Sequence, residues 1–336
     1  MIDRPIFLVT IDTEGDNLWS NPRDVTTRNA EFLPRFQQIC ETYNLKPTYL
    51  TNYEMANCGL FREFGQHVIA RNAGEIGMHL HAWDMPPAHV LTDDDLTHQP
   101  YLIEYPDGIM RRKIVLMTEL LESTFGVKMV SHRAGRWAFD ERYAALLIEQ
   151  GYQVDCSVTP YHSWRTSIGS PGATGGQDYT KFPWQAYFLD RNNIGLPGNS
   201  PLLEVPMTLV PRRQPFAVFL RRHYYELPRG LRGIVNRCSP LYWLRPRGHN
   251  LNQMLYILRR AQTEAWDYVE FMLHSSELMP GGSPTFRTEA DIERLYDDLH
   301  RLFSAAHKAF HGTTLQEYYQ HVCKSGNSPG LSPQTL

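Results

Sequence analysis

Short apolar runs alternate with stretches of helical spacing along most of this 336-residue chain. The first run, Ile6-Phe7-Leu8-Val9-Thr10-Ile11, reads as a buried strand that ends in Asp12-Thr13-Glu14-Gly15-Asp16. Apolar residues Phe32, Leu33, Phe36, Ile39 and Cys40 then recur at helical spacing over 31–43, since residues three and four apart share one helix face. A strand is predicted at 47–51, a helical stretch at 60–71 and a strand at 75–81. Helices at 111–124 and 141–150 lead into strands at 127–133 and 153–157. From 159 to 250 the rhythm gives way to Gly, Pro and aromatic residues around one predicted strand at 202–206. It resumes with a helix at 252–266, a strand at 269–273, a helix at 289–311 and an amphipathic segment at 314–323. The Ser/Gly/Pro-rich tail, 324–336, is expected to be disordered.

Repeated alternation of strand and helix implies a parallel α/β sheet with crossover helices. Strand starts at Ile6, Pro47, Glu75, Lys128, Val154, Leu202 and Val269 give about seven parallel strands. That number suits an incomplete barrel better than an eightfold one. Residues 1–323 are read as one barrel domain, with 159–250 an irregular insertion around a single barrel strand. Hydrophobic content of 42% and charged content of 21% fit a globular protein, and a net charge of -3 argues against nucleic acid as a partner. The five cysteines are scattered and form no CxxC pair, so reduced thiols are expected and a zinc–cysteine site is not. The N-terminus enters a strand without the basic and apolar regions of a secretory signal, and no run reaches membrane-span length. The expected location is the cytoplasm or the periphery of the inner membrane.

Polar residues with chemical potential fall at the C-terminal ends of these strands, the edge at which parallel α/β folds bind ligands. Asp12 and Glu14 follow the first strand, His79 and His81 end the third, Arg133 and Arg136 follow the fourth, Asp155 sits on the fifth, and His274 ends the last. His79 and His81 are two apart, so an extended strand projects both imidazoles to one face. Two imidazoles and a carboxylate suit a divalent metal with open positions. His274 stands between an apolar strand and a glycine-rich loop, a position suited to a general acid and equally to a loop histidine with a structural partner.

Taken in order, Asp12-Thr13-Glu14, Glu75-Ile76-Gly77-Met78-His79-Leu80-His81, His132-Arg133-Ala134-Gly135-Arg136-Trp137, Asp155 and Leu273-His274 resemble the motifs of the NodB-homology polysaccharide deacetylases, carbohydrate esterase family 4. The likeness is greatest to a WalW-like bacterial branch. The resemblance implies a deformed (β/α)7 barrel, a divalent ion, with zinc ahead of cobalt, nickel or manganese, and removal of an N-acetyl group from a sugar of a cell-surface polysaccharide, lipid-linked glycan or precursor. It assigns Asp12 as base, Glu14, His79 and His81 as metal ligands, and His274 as acid. Arg133 would pair with Asp12, and Asp155 would orient His274. Arg136, Trp137 and Trp83 are the expected substrate contacts. Three departures stand out: Thr13 replaces the second of two adjacent aspartates, the histidines are two rather than four apart, and Arg133-Ala134-Gly135-Arg136 replaces Arg-x-Pro-Tyr.

The insertion carries its own signal. Between Pro211 and His249 stand nine arginines against the single acid Glu226, interleaved with aromatic and aliphatic residues. This pattern fits either a flap for an anionic glycolipid, nucleotide-linked sugar or membrane surface, or a solvated face over a small apolar cluster. Two other functions stay open on the sequence: hydrolysis of another C–N bond, such as a cyclic amide, and a silent module that binds glycan or membrane without turnover.

Overall fold

The computed structural model describes residues 4–20, 23–212 and 216–325. Its strands are β1 (Ile6–Thr13), β2 (Pro47–Thr51), β3 (Glu75–Leu80), β4 (Ser131–Ala134), β5 (Val154–Asp155), β6 (Tyr187–Phe188), β7 (Leu203–Glu204), β8 (Leu209–Pro211), β9 (Leu241–Trp243), β10 (Tyr268–His274) and β11 (His311–Thr313). The main sheet runs β10-β1-β2-β3-β4-β5-β7-β6. Every pairing from β10 through β7 is parallel, and β6 closes the far edge antiparallel. The curled sheet forms a deformed (β/α) barrel with seven parallel staves, as the sequence pattern predicts. Because β10 pairs with β1 from Ile6 to Asp12, β2 and β11 divide the other edge of β1.

The gap between β7 and β10 is spanned by the insertion. The Glu270 amide donates to Thr208 Oγ1 (2.8 Å), Leu244 N to the Thr208 carbonyl (3.0 Å), and Met272 N to the Leu244 carbonyl (3.2 Å). Hairpin β8–β9 encloses two helices, Phe216–Arg222 and Arg229–Cys238.

Side-chain alternation sorts the strands into two layers. Phe7, Val9, Ile11, Tyr49, Ile76, Met78 and Leu80 face outward into the large core shared with the crossover helices. Inside the barrel, Leu8, Leu50, Val154, Leu203 and Val205 meet Leu315, Tyr318 and Val322 of the helix Leu315–Ser325, which closes the N-terminal end. The inner positions nearer the other end are polar: Thr10, Arg133 and Glu270 are buried together, and Asp12, His79 and His274 lie beyond them. A barrel apolar at one end and polar at the other directs its chemistry to the C-terminal rim.

The strand expected at 127–133 forms only at Ser131–Ala134, and those at 153–157 and 202–206 shrink to two residues each. Lys324 and Ser325 of the expected disordered tail complete the last helix, and the remainder of that tail lies outside the described residues.

Candidate active site

Register brings the key residues together in pairs. Asp12 on β1 is the direct neighbour of His274 on β10, and His79 on β3 is the neighbour of Arg133 on β4. All four side chains point into the barrel mouth and are largely withdrawn from solvent.

Glu14 continues the line of Asp12 one pleat further on. Its Oε2 lies 3.6 Å from His79 Nε2 and 3.5 Å from His81 Nε2, and the three donor atoms fall within 4.8 Å of one another. These separations are long for hydrogen bonds but close to the roughly 3.3 Å between neighbouring ligands around a tetrahedral ion bound at about 2 Å. His79 Nδ1 is 3.0 Å from the Arg133 carbonyl. That oxygen can only accept, so Nδ1 carries a proton and Nε2 is the nitrogen turned toward Glu14, free to act as a ligand when a cation takes the place of its proton. Burial, with His79 beside it, pushes His81 well below its ordinary range and keeps it neutral, as a ligand must be. His81 is stacked on Trp83 with centroids 4.5 Å apart. The donor set, its burial and the fixed tautomer of His79 fit a divalent cation.

Arg133 organises the Asp12 carboxylate. Fully buried, it donates from Nη1 to Asp12 Oδ1 (2.5 Å), from Nε to the Cys156 carbonyl (3.1 Å), and from Nη2 to Thr10 Oγ1 (2.9 Å) and to Glu270. Burial alone would raise the pKa of Asp12, but Arg133, His79 and His274 outweigh it and hold the carboxyl far below its usual range. Asp12 is therefore an ionised carboxylate with one oxygen tied to Arg133. The other, Oδ2, is 3.7 Å from His274 Nε2.

His274 is braced from behind. Glu277 Oε2 accepts from the His274 amide at 2.8 Å and lies 3.4 Å from its Nδ1. Arg245 Nη2 is 3.3 Å from the same Nδ1 and pairs with Glu277 Oε1 at 3.1 Å. Nδ1 can thus donate to a carboxylate or accept from a guanidinium, and both protonation states of the ring have a partner while Nε2 faces the cleft. Burial would raise Glu277, but Arg245 and His274 draw it down to about 2, so it stays ionised.

Asp155 occupies a different place from the one expected. Its register partner is His132, on the opposite face of β4 from Arg133. The carboxylate meets His132 Nδ1 at 2.5 Å and accepts from Ser157 N and Oγ, both at 2.9 Å. His132 Nε2 in turn reaches Tyr143 OH at 2.7 Å on the outer helix Glu141–Glu149. Strand alternation places Asp155 on the helix side, and Glu277 braces His274 instead.

A cleft of about 300 Å³ opens over these groups. Its walls include Trp19, Trp83, Trp137, Trp164 and Arg136. Trp19 stands edge-on to His274 (5.1 Å), and Trp137 stacks on Trp164 (6.3 Å). Arg136 and Trp137 both adopt left-handed backbone, with φ of 54° and 62°, a strained geometry for side-chain-bearing residues that occurs most often at functional sites. Arg136 is anchored on the Gln99 and Ile168 carbonyls and lies over the Tyr101 ring at 4.3 Å.

The groups that sequence reasoning missed had visible signals. Glu270 is a lone charge inside the apolar strand Val269-Glu270-Phe271, and Glu277 follows His274 by one helical turn. Arg245 was counted only as part of the basic insertion.

No family model matches the sequence, and no curated protein matches it. Solved structures do. The chain is similar to a Mycobacterium smegmatis protein provisionally assigned as a polysaccharide deacetylase, at 15% identity and TM-score 0.52, over 99% of this chain and 96% of that one. A Parabacteroides distasonis protein provisionally assigned as a glycoside hydrolase/deacetylase matches at 11% identity and TM-score 0.63, over 97% and 73%. A 4-alpha-glucanotransferase from Thermococcus litoralis matches at 13% identity and TM-score 0.54, over 98% of this chain but 41% of its own. At these identities the likeness is one of fold: the chain has the deformed (β/α) barrel of the NodB-homology polysaccharide deacetylases.

Proposed function

We propose that the protein is a metal-dependent N-deacetylase acting on an N-acetylated sugar of a polysaccharide or its precursor. One observation carries this reading: an ionised carboxylate, Asp12, and an imidazole, His274, face each other beside the Glu14, His79 and His81 cluster. The fold likeness to deacetylases supports the same chemistry.

An acetamide resists hydrolysis because its carbonyl is a poor electrophile and its amine a poor leaving group. Glu14, His79 and His81 would hold a divalent ion, zinc being best suited to this nitrogen and oxygen donor set, which supplies Lewis acidity toward the carbonyl and an acidified water. Asp12, kept ionised by Arg133, accepts the proton of the attacking water. His274 then donates from Nε2 to the departing amine, with Glu277 and Arg245 supporting Nδ1 as that proton leaves. The tryptophan walls give apolar faces on which a sugar ring can stack. Arg136 and Trp137 are fixed by their own contacts before substrate arrives, which lowers the ordering cost of binding.

Acetate release from N-acetylated oligosaccharides, followed with added zinc or cobalt, tests the proposal. Turnover should vanish in Asp12→Asn and in Glu14→Ala, and Glu14→Ala should also lose stoichiometric metal. Cleavage of cyclic amides in place of acetate release would overturn it, as would acetate release that survives Asp12→Asn.

A further inference from the structure

A second cleft, of about 400 Å³, lies within the arginine-rich insertion and takes no part in the chemistry above. Tyr161, His162, Arg221, Tyr225, Trp243 and Arg247 are among its lining residues, and among the described residues no carboxylate lines it. Arg221 is 5% exposed, yet among the described residues its guanidinium meets only neutral groups, the Ser239 carbonyl, Asn236 Oδ1 and the Tyr224 ring at 5.0 Å. Arg247 is exposed and has no acidic partner among the described residues. Arg221 is thus a buried cation held by neutral groups alone, and Arg247 adds a second, solvated positive charge at the mouth of the same aromatic-lined space, so an anion entering it would meet both. Burial above all, with Arg221 and Arg247 adding to it and Asp178 opposing, pushes His162 down to about 4, so this wall carries a neutral imidazole. Tyr161 holds a left-handed φ of 65° in this wall, a strained placement of the kind found at ligand sites.

This cleft adjoins the candidate active site. Trp164 lines the first cleft and packs against His162 (4.4 Å) and Trp243 (6.4 Å), which line the second. The segment leaving β9 places Arg245 in the first cleft and Arg247 in the second. A glycan with its acetamide over Asp12 and His274 can therefore continue past Trp164 into the basic space.

We propose that the second cleft is a subsite for an anionic group of the glycan substrate, a carboxylate or phosphate borne by a unit beyond the acetylated sugar. Guanidinium groups suit both anions, because their N–H groups match paired oxygens, and the flanking tyrosines and Trp243 offer hydroxyls and a ring face to the attached sugar. The inference rests on the glycan deacetylase reading for its substrate, but the affinity it predicts is measurable without turnover.

Calorimetric titration of the full chain carrying Asp12→Asn provides the test. The probes are a glucuronate–N-acetylglucosamine tetrasaccharide, N-acetylglucosamine 1-phosphate and, as the neutral control, an N-acetylglucosamine tetrasaccharide. At least one acidic probe should bind about tenfold tighter than the neutral one, with affinity falling as salt rises. Whichever acidic probe binds tighter identifies carboxylate or phosphate as the natural group. Adding Arg247→Ala should remove most of that preference and Arg247→Glu should abolish it, and both should fold because Arg247 is exposed. Equal binding of acidic and neutral probes overturns the proposal, as does a preference that persists in Arg247→Glu. Binding only to vesicles of anionic phospholipid, through exposed Phe219, Leu231 and Ile234, also overturns it. Acetate release by the wild-type chain without any acidic preference would leave the deacetylase reading standing and this one refuted.

Discussion

The guanidinium of Arg133 faces two carboxylates, and their surroundings decide which one keeps its charge. Asp12 has the His79 and His274 imidazoles beside it as well as Arg133 and stays ionised, whereas burial raises Glu270 from the ordinary 4.5 to about 7 despite Arg133 and Thr10. Between those two values the folded state holds more protons than the unfolded chain, so this group's contribution to stability falls as pH rises through the window and levels off above about 7. Glu270→Gln removes that dependence. Urea unfolding across the window should find the variant gaining on the wild type as pH rises, by up to about 3 kcal/mol; a difference independent of pH would show that Glu270 does not titrate there. Glu277→Gln addresses His274 in the same way. With the brace weakened, kcat for acetate release should fall roughly 10- to 100-fold, the usual cost of losing a group that orients a reacting side chain, with KM little changed. A fall confined to KM would make Glu277 a substrate contact instead. The sequence made Asp12, Glu14, His79, His81, Arg133 and His274 legible because strand ends converge at one rim. It misplaced Asp155 because which face a two-residue strand presents depends on register, here the pairing of Asp155 with His132.

At the scale of elements, the Glu14, His79 and His81 cluster depends on how closely β3 and the turn after β4 approach. A Cβ added at Gly135 would fall on His81 Cδ2 and on the Leu80 carbonyl oxygen. Only glycine lets the turn pass beneath the imidazole, so Gly135→Ala must displace His81 or the end of β3. Zinc affinity should drop by about 10- to 100-fold, with a stability loss of about 1–3 kcal/mol, measured by competition with a chromogenic chelator and by urea unfolding. Unchanged zinc affinity in a folded variant would remove His81 from the ligand set. The long strands β1, β3 and β10 are legible because runs of six to eight residues rich in apolar side chains, bounded by polar or glycine-containing turns, have the length of a strand rather than of a helix. Hairpin β8–β9 is not, since three residues on each side, with Pro211 ending one of them, carry no period and rest on the register between segments distant in sequence. For the same reason β11 is not legible, only His311 falling at the end of the expected helix and 312–313 in no expected element, and it forms because β2 leaves the lower edge of β1 unpaired.

For the whole molecule, the cluster draws its ligands from β1 and β3, with β2 between them. An ion held there would join two staves of an incomplete barrel at the rim, where among the described residues the Glu14 carboxylate otherwise pairs only with imidazoles more than 3 Å away. Because the donors converge only in the folded chain, metal binding should be linked to global stability: free ion at a hundred times its dissociation constant contributes about 2.7 kcal/mol. Thermal unfolding of chelator-treated protein should therefore rise by a few degrees on adding zinc and return when chelator is restored. Glu14→Ala should abolish the rise, because two neutral imidazoles alone hold the ion weakly, while His274→Gln should retain it, since His274 lies outside the ligand set. The pair of variants separates a specific site from general ion effects, which would raise both alike. A wild-type melting temperature unmoved by saturating zinc, cobalt, nickel and manganese would refute metal binding at the rim and with it the chemistry built on Asp12 and His274.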